Sequence, residues 1–257
     1  MLTAKMLTAL TAAWNMLLDW PLPTPSFNSS ARENSDDDSE ITLLVFPVVG
    51  LICGFILLFF GKMFTLILGD WAGGVLFAFA AVAVTELGNH GRGFTSTLSF
   101  AANWAETGDA AKALNRLDDS WRTLSGMIPT LAAFGYIAVK LVCFTLLCRY
   151  RCQWLIAVYV LDFAAQGFLA TDSAQGLPLA AAEKFRTHVW FPAIFILLFF
   201  IGHPAAPLLA FAAVFGGSYL FGKYCRNFSG GLNTEKITLF GAFCELAVLV
   251  VGTLALF

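Results

Sequence analysis

Charge is what this sequence has least of. Only 12% of its residues are Asp, Glu, Lys or Arg, and the two signs nearly cancel, to −2 at pH 7. A soluble chain of 257 residues needs far more polar surface than that to cover its core. No basic field is available for nucleic acid, which excludes it as a partner. Histidine is scarce, at three residues. The six cysteines are Cys53, Cys143, Cys148, Cys152, Cys225 and Cys244, and Cys148 and Cys152 have no companion Cys or His pair to complete a zinc site. Most lie in or beside apolar runs, where a thiol behaves as a small hydrophobe. A signal peptide is also excluded at residues 1–20. The run lacks a basic stretch ahead of a clean apolar core, carries Lys5 and Asp19 inside it, and is followed by prolines rather than a small-residue cleavage site.

Apolar residues make up the balance: 58% of the chain, with 26 Phe, 22 Gly and a mean hydropathy of +0.75. Glycine at this level suits membrane helices, where it lets backbones approach closely. The pattern predicts an all-α polytopic membrane helix bundle, one domain of about seven transmembrane helices plus an N-terminal amphipathic helix. That first helix, over 1–20, is expected at the membrane surface or packed on the bundle. Spans are predicted near 41–60, 68–85, 126–148, 152–170, 189–203, 204–222 and 237–257, each close to the ~20 apolar residues needed to cross a bilayer. Polar connections fall at 24–40, 86–125 and 223–236. The Asp36-Asp37-Asp38 run in the first reads as a solvated loop.

Basic residues set the expected orientation. Counted through seven crossings, eleven Lys and Arg share the side of the N-terminus, three (Lys62, Arg149, Arg151) lie opposite, and Lys140 falls within the third span. The N-terminus and all long loops are therefore predicted in the cytoplasm. Lys140 is read as snorkelling to the interface. Glu245, inside the last span, is costly to bury and requires a partner or water.

Several segments carry a family pattern. Trp14-Asn15-Met16-Leu17-Leu18-Asp19-Trp20-Pro21-Leu22-Pro23 is followed by a polar loop and then Phe46-Pro47-Val48-Val49-Gly50-Leu51-Ile52-Cys53-Gly54. After the second span comes Thr85-Glu86-Leu87-Gly88-Asn89-His90-Gly91-Arg92-Gly93-Phe94-Thr95-Ser96-Thr97-Leu98-Ser99, and later Asp118-Asp119-Ser120 running to Gly126. The tail reads Gly230-Gly231-Leu232-Asn233-Thr234-Glu235, then Gly241-Ala242-Phe243-Cys244-Glu245. In order and spacing, nearly end to end, the chain resembles cobalamin synthase, the adenosylcobinamide-GDP ribazoletransferase family.

The resemblance implies an inner-membrane transferase that joins adenosylcobinamide-GDP to α-ribazole or its phosphate and releases GMP in cobalamin biosynthesis. It implies His90, Asp119 and Glu235 as catalytic residues, Gly230, Gly231 and Asn233 at the substrate, and Asp118, Asp119 and Glu245 on a Mg²⁺ ion, which suits substitution within a pyrophosphate. The chain departs from the pattern where the family has three closely spaced aspartates, for Arg92, Ser96 and Ser99 stand there instead. Each candidate also has a plainer reading. His90 fits a surface loop, Asp118 and Asp119 fit a helix cap, Gly230-Gly231 fits a flexible turn and Glu235 beside Lys236 fits an exposed pair. Two further readings follow: a non-catalytic relative acting as scaffold or binder, and an unrelated small transporter. The transporter reading needs charges at mid-membrane, for which Lys140 and Glu245 are the candidates.

Overall fold

The structure, a computed structural model, describes residues 2–18, 35–88, 92–117, 126–173 and 205–256. Among these there are helices and no strands. In chain order they are α1 (Leu2–Leu18), α2 (Ser35–Leu68), α3 (Asp70–Gly88), α4 (Arg92–Thr107), α5 (Ala110–Asn115), α6 (Met127–Tyr150), α7 (Trp154–Ser173), α8 (Ala205–Phe228) and α9 (Thr234–Leu254).

Among the described residues four stretches are long and apolar enough to cross a membrane: Val45–Leu68, Met127–Tyr150, Ala205–Phe228 and Thr234–Leu254. The predicted spans 68–85 and 152–170 coincide with α3 and with the shorter apolar stretch Trp154–Ala170 of α7. The predicted span 189–203 lies outside the described residues. Large side chains such as Phe59, Leu66, Phe79, Leu131, Phe134, Leu209 and Leu220 are more than half exposed. Exposure of so many large apolar side chains is lipid-facing rather than water-facing in character.

Helix α7 forms the centre of the bundle. Every residue from Trp154 to Leu161 is buried at 5% exposure or less, as an all-round apolar helix requires. It packs against α2, α8 and α9. Its closest neighbour is α2, and the reason lies in Gly50-Leu51-Ile52-Cys53-Gly54. A Cβ at Gly54 would lie 2.6 Å from Ile156 Cα, and one at Gly50 would run into the Tyr159 carbonyl. Two glycines four residues apart thus let the two backbones touch. On the far side of the bundle Gly252 makes room for the Trp154 indole, whose Nε1–H donates to the Val248 carbonyl at 2.8 Å.

Four expected boundaries differ, the first being the 223–236 connection, which shortens to a turn because α8 runs on to Phe228 and α9 begins at Thr234. Helix α2 begins at Ser35, inside the predicted 24–40 loop, and continues past residue 60 to Leu68. It stops at Gly69, whose φ of +80° is readily reached only by glycine, and Asp70 then opens α3, where a carboxylate complements the helix dipole. The 86–125 connection, predicted as a loop, holds α4 and α5. Helix α4 packs on α6 and α9 through small and polar residues: Thr95, Ser96, Ser99 and Asn103 are all buried. Its low apolar content hides it from hydropathy, while its small side chains let it pack tightly. Asp109 caps α5, accepting from the N–H of Ala111 at 2.9 Å and of Lys112 at 3.4 Å. Helix α1 lies against α2, with Ala9 and Ala13 buried.

Candidate functional site

Four helices meet around one lysine. Lys140, at mid-length of α6, is 0% exposed, and its ammonium forms ion pairs with Glu86 Oε1 on α3 and with Glu245 Oε2 on α9, the latter at 2.7 Å. The Tyr136 hydroxyl, one turn before Lys140, donates to Glu86 Oε1 at 3.0 Å and accepts from Lys140 Nζ at 3.4 Å. From α7, the Tyr159 hydroxyl donates to Glu245 Oε1 at 3.0 Å. The Lys140 ammonium also sits 5.1 Å from the centre of the Tyr136 ring, within cation–π range. Lys140 therefore does not snorkel; it is held in the interior by two carboxylates. The partner that Glu245 requires is this ammonium, together with Tyr159.

Farther along the same face of α7 are Asp162, 5% exposed, and Gln166, whose side-chain amide donates to Asp162 Oδ1 at 3.0 Å. Gly241 on α9 gives them room, since a Cβ there would lie 3.0 Å from Asp162 Oδ1 and collide with the Gln166 amide. Above these groups lies a cavity of about 600 Å³. Its floor is Glu86, Tyr136, Tyr159, Asp162, Gln166 and Glu245; its walls are apolar, among them Ile56, Phe60, Phe64, Phe77 and Phe163. Trp14 of α1 completes the lining, and its buried indole N–H has no hydrogen-bond partner. Glycine backbone comes from Gly93 at the start of α4.

A second polar centre closes the other end of α9. Gly230 and Gly231, at φ +69° and +100°, form the turn after α8. The Gly231 N–H returns to the Cys225 carbonyl at 3.0 Å, and Asn233 caps α9 by accepting from the Lys236 N–H at 3.0 Å. Lys236, 4% exposed, directs its ammonium back onto the Ser229 carbonyl and hydroxyl, the Gly231 carbonyl at 2.8 Å and Asn115 Oδ1 at 3.3 Å. Cation and carbonyls suit the C-terminal end of α8. Nothing lies within 4 Å of where a Cβ on either glycine would point, so the turn presents open backbone. Lys236→Met removes donors from four oxygens and is expected to cost about 2 kcal/mol. Amide exchange across 229–233 should quicken while the Val248 amide stays protected.

The sequence-predicted residues divide between these places. Gly230, Gly231, Asn233 and Glu235 share the α8–α9 turn, with Glu235 half-buried in the first turn of α9. Glu245 is ten residues farther along the same helix, about 15 Å away along its axis, and joins Lys140 instead. His90, Asp118 and Asp119 lie outside the described residues. Ser96 and Ser99, standing where the family pattern has aspartates, are buried in α4, and the Ser96 hydroxyl has no partner. Among the described residues no group of three His, Cys, Asp or Glu is arranged to hold a metal ion. Of the residues implied for Mg²⁺, Asp118 and Asp119 lie outside the described residues and Glu245 is paired with the Lys140 ammonium.

Tyr136, Tyr159, Asp162 and Gln166 are site residues that the sequence patterns did not single out, while Glu86 stood in the family-like string after the second span. A signal existed in the spacing. Tyr136 and Lys140 are four apart on α6, and Tyr159, Asp162 and Gln166 recur at three and four on α7, so each set forms one polar stripe on an otherwise apolar helix. No family model, curated protein or solved structure matches the chain.

Proposed function

We propose that the chain is a polytopic inner-membrane protein of the cobalamin synthase kind. In this reading it crosses the bilayer seven times, keeps its N-terminus and long polar segments in the cytoplasm, and joins adenosylcobinamide-GDP to α-ribazole or its phosphate. An acceptor hydroxyl bonds to the phosphorus that bears the cobinamide, the pyrophosphate P–O bond breaks, and GMP leaves with the electron pair. The proton of the attacking hydroxyl passes to a base, the role that falls to His90 or Glu235.

The observation that carries the reading is the build of α9. One helix bears the open Gly230-Gly231 turn at its start and Glu245 three turns deeper, in the order the resemblance requires. Left-handed glycines that leave their backbone uncovered are suited to close approach by a phosphate. Lys236 holds the turn's carbonyls in place, so the backbone is preorganised.

Complementation tests this. A host lacking its own cobalamin synthase, fed cobinamide and dependent on cobalamin for growth, should grow when this chain is expressed. Gly231→Val places a branched side chain at φ +100° and is expected to lower transfer by about a hundredfold through misplacement of the phosphate. Absence of growth with correctly inserted protein would oppose the reading.

A second reading is a membrane binder or scaffold without catalysis. The observation favouring it is that Glu245 is committed to Lys140 and Tyr159 inside the bundle, as a structural or ligand-holding carboxylate would be. The transporter reading shares that observation, because intramembrane charges lining a cavity mark a substrate path. Either predicts binding with no turnover.

A further inference from the structure

We propose that the intramembrane cavity is a binding site for a hydrophobic ammonium ion, a ligand with an apolar or aromatic body and one cationic end. The inference does not depend on the transferase reading. Three carboxyl groups, Glu86, Glu245 and Asp162, lie at the cavity floor, and among the described residues the Lys140 ammonium is the one that pairs with them, through Glu86 and Glu245. Lys140 is satisfied by the two glutamates, while Asp162 has the neutral Gln166 amide. The floor therefore holds three carboxyl groups against one ammonium, an excess of acceptors. Such groups are expensive in hydrocarbon unless a cation joins them.

The walls fix the rest of the ligand. Phe60, Phe64, Phe77 and Phe163 enclose an apolar body, and a space of about 600 Å³ suits a small organic molecule rather than a bare ion. Tyr136 and Tyr159 in the floor and Trp14 elsewhere in the lining bring aromatic rings to the same space. Rings and carboxylates together are the surroundings that an ammonium prefers over any neutral or anionic group. Cys53 and Thr238 add no competing cation. An anion is disfavoured by three carboxyls, and a purely apolar ligand would leave the Asp162 carboxyl in the lining without a cation.

The test is equilibrium binding to the full chain in lipid nanodiscs, with probes that share one body and differ in charge: 4-phenylbutylamine, 4-phenylbutanol and 4-phenylbutyrate. Empty nanodiscs measure partitioning into lipid. The amine is expected to bind at least about tenfold more tightly than the alcohol, and the carboxylate not at all above the empty discs. Asp162→Asn preserves size and the Gln166 contact; it should bring the amine down to the affinity of the alcohol and leave the alcohol unchanged. Ala80→Phe, filling the cavity away from the floor, should weaken both. Equal affinity for amine and alcohol in the unsubstituted chain would overturn the proposal. So would amine binding that survives Asp162→Asn, or amine uptake no greater than in empty discs. The first comparison uses no variant, so misfolding cannot obscure it.

Discussion

Lys140→Met is expected to destabilise the bundle by about 3–5 kcal/mol, because it leaves the buried Glu245 and the partly buried Glu86 together with no cation between them. For a chain of this size that corresponds to a fall in the melting temperature on the order of 10 °C. The same principle predicts a rescue. Adding Glu86→Gln and Glu245→Gln to Lys140→Met removes all three charges, and the neutral amides keep acceptors for Tyr136 and Tyr159. Most of the lost stability should return, since the penalty comes from the orphaned carboxylates rather than from the loss of attraction. Melting of the purified single and triple variants in one detergent decides it. Lys140→Met with unchanged melting would mean that the ammonium does not hold the two glutamates.

A second large effect is expected at the α2–α7 seam. In lipid, apolar side chains gain little by leaving the solvent, so helices associate through close packing and hydrogen bonds. Gly50→Val and Gly54→Val each place a branched side chain where the backbone of Tyr159 or Ile156 already lies. Neither neighbour is the end of a flexible side chain, so the helices must separate. The double variant is expected to lose about 3 kcal/mol or more through overpacking. It should also disturb Tyr159, hence its bond to Glu245. Comparison with Gly135→Val on α6 is the control, for a Cβ there meets nothing within 4 Å. If the seam variant and the control melt alike, the close approach of α2 and α7 is wrong.

That seam also shows how one motif was legible at one level and not at another. Phe46 to Gly54 stood out as a family-like string, yet what the string does in the fold is bring two helices into backbone contact. The long apolar runs translated directly into α2, α6, α8 and α9, because lipid-length hydrophobicity depends on composition alone. Helix α4 was hidden because its buried face is Thr95, Ser96, Ser99 and Asn103, which read as a polar loop when neighbours are averaged. The charge cluster was hidden for a different reason. Lys140 is 54 residues from Glu86 and 105 from Glu245, and no local pattern links positions so far apart. Glu245 alone announced its need for a partner, and the spacings of Tyr136 and Lys140 on α6 and of Tyr159, Asp162 and Gln166 on α7 were the local clues to where the polar floor would form.

The α8–α9 turn was legible in part. Gly230-Gly231 fitted a turn, while the left-handed conformation of both glycines and the capping of α9 by Asn233 emerge only in the structure. What composition could not supply was Lys236, whose ammonium folds back onto the turn instead of pairing with Glu235.

The central functional claim is tested most directly by a transfer reaction. Membranes carrying the full chain, from a host with no cobalamin synthase of its own, receive adenosylcobinamide-GDP and α-ribazole with and without Mg²⁺, and products are identified by mass. The account predicts adenosylcobalamin and GMP in equal amounts, and far less of both from Gly231→Val. Correctly inserted protein that yields neither, while melting normally, would contradict it and leave the ligand-binding cavity as the chain's working site.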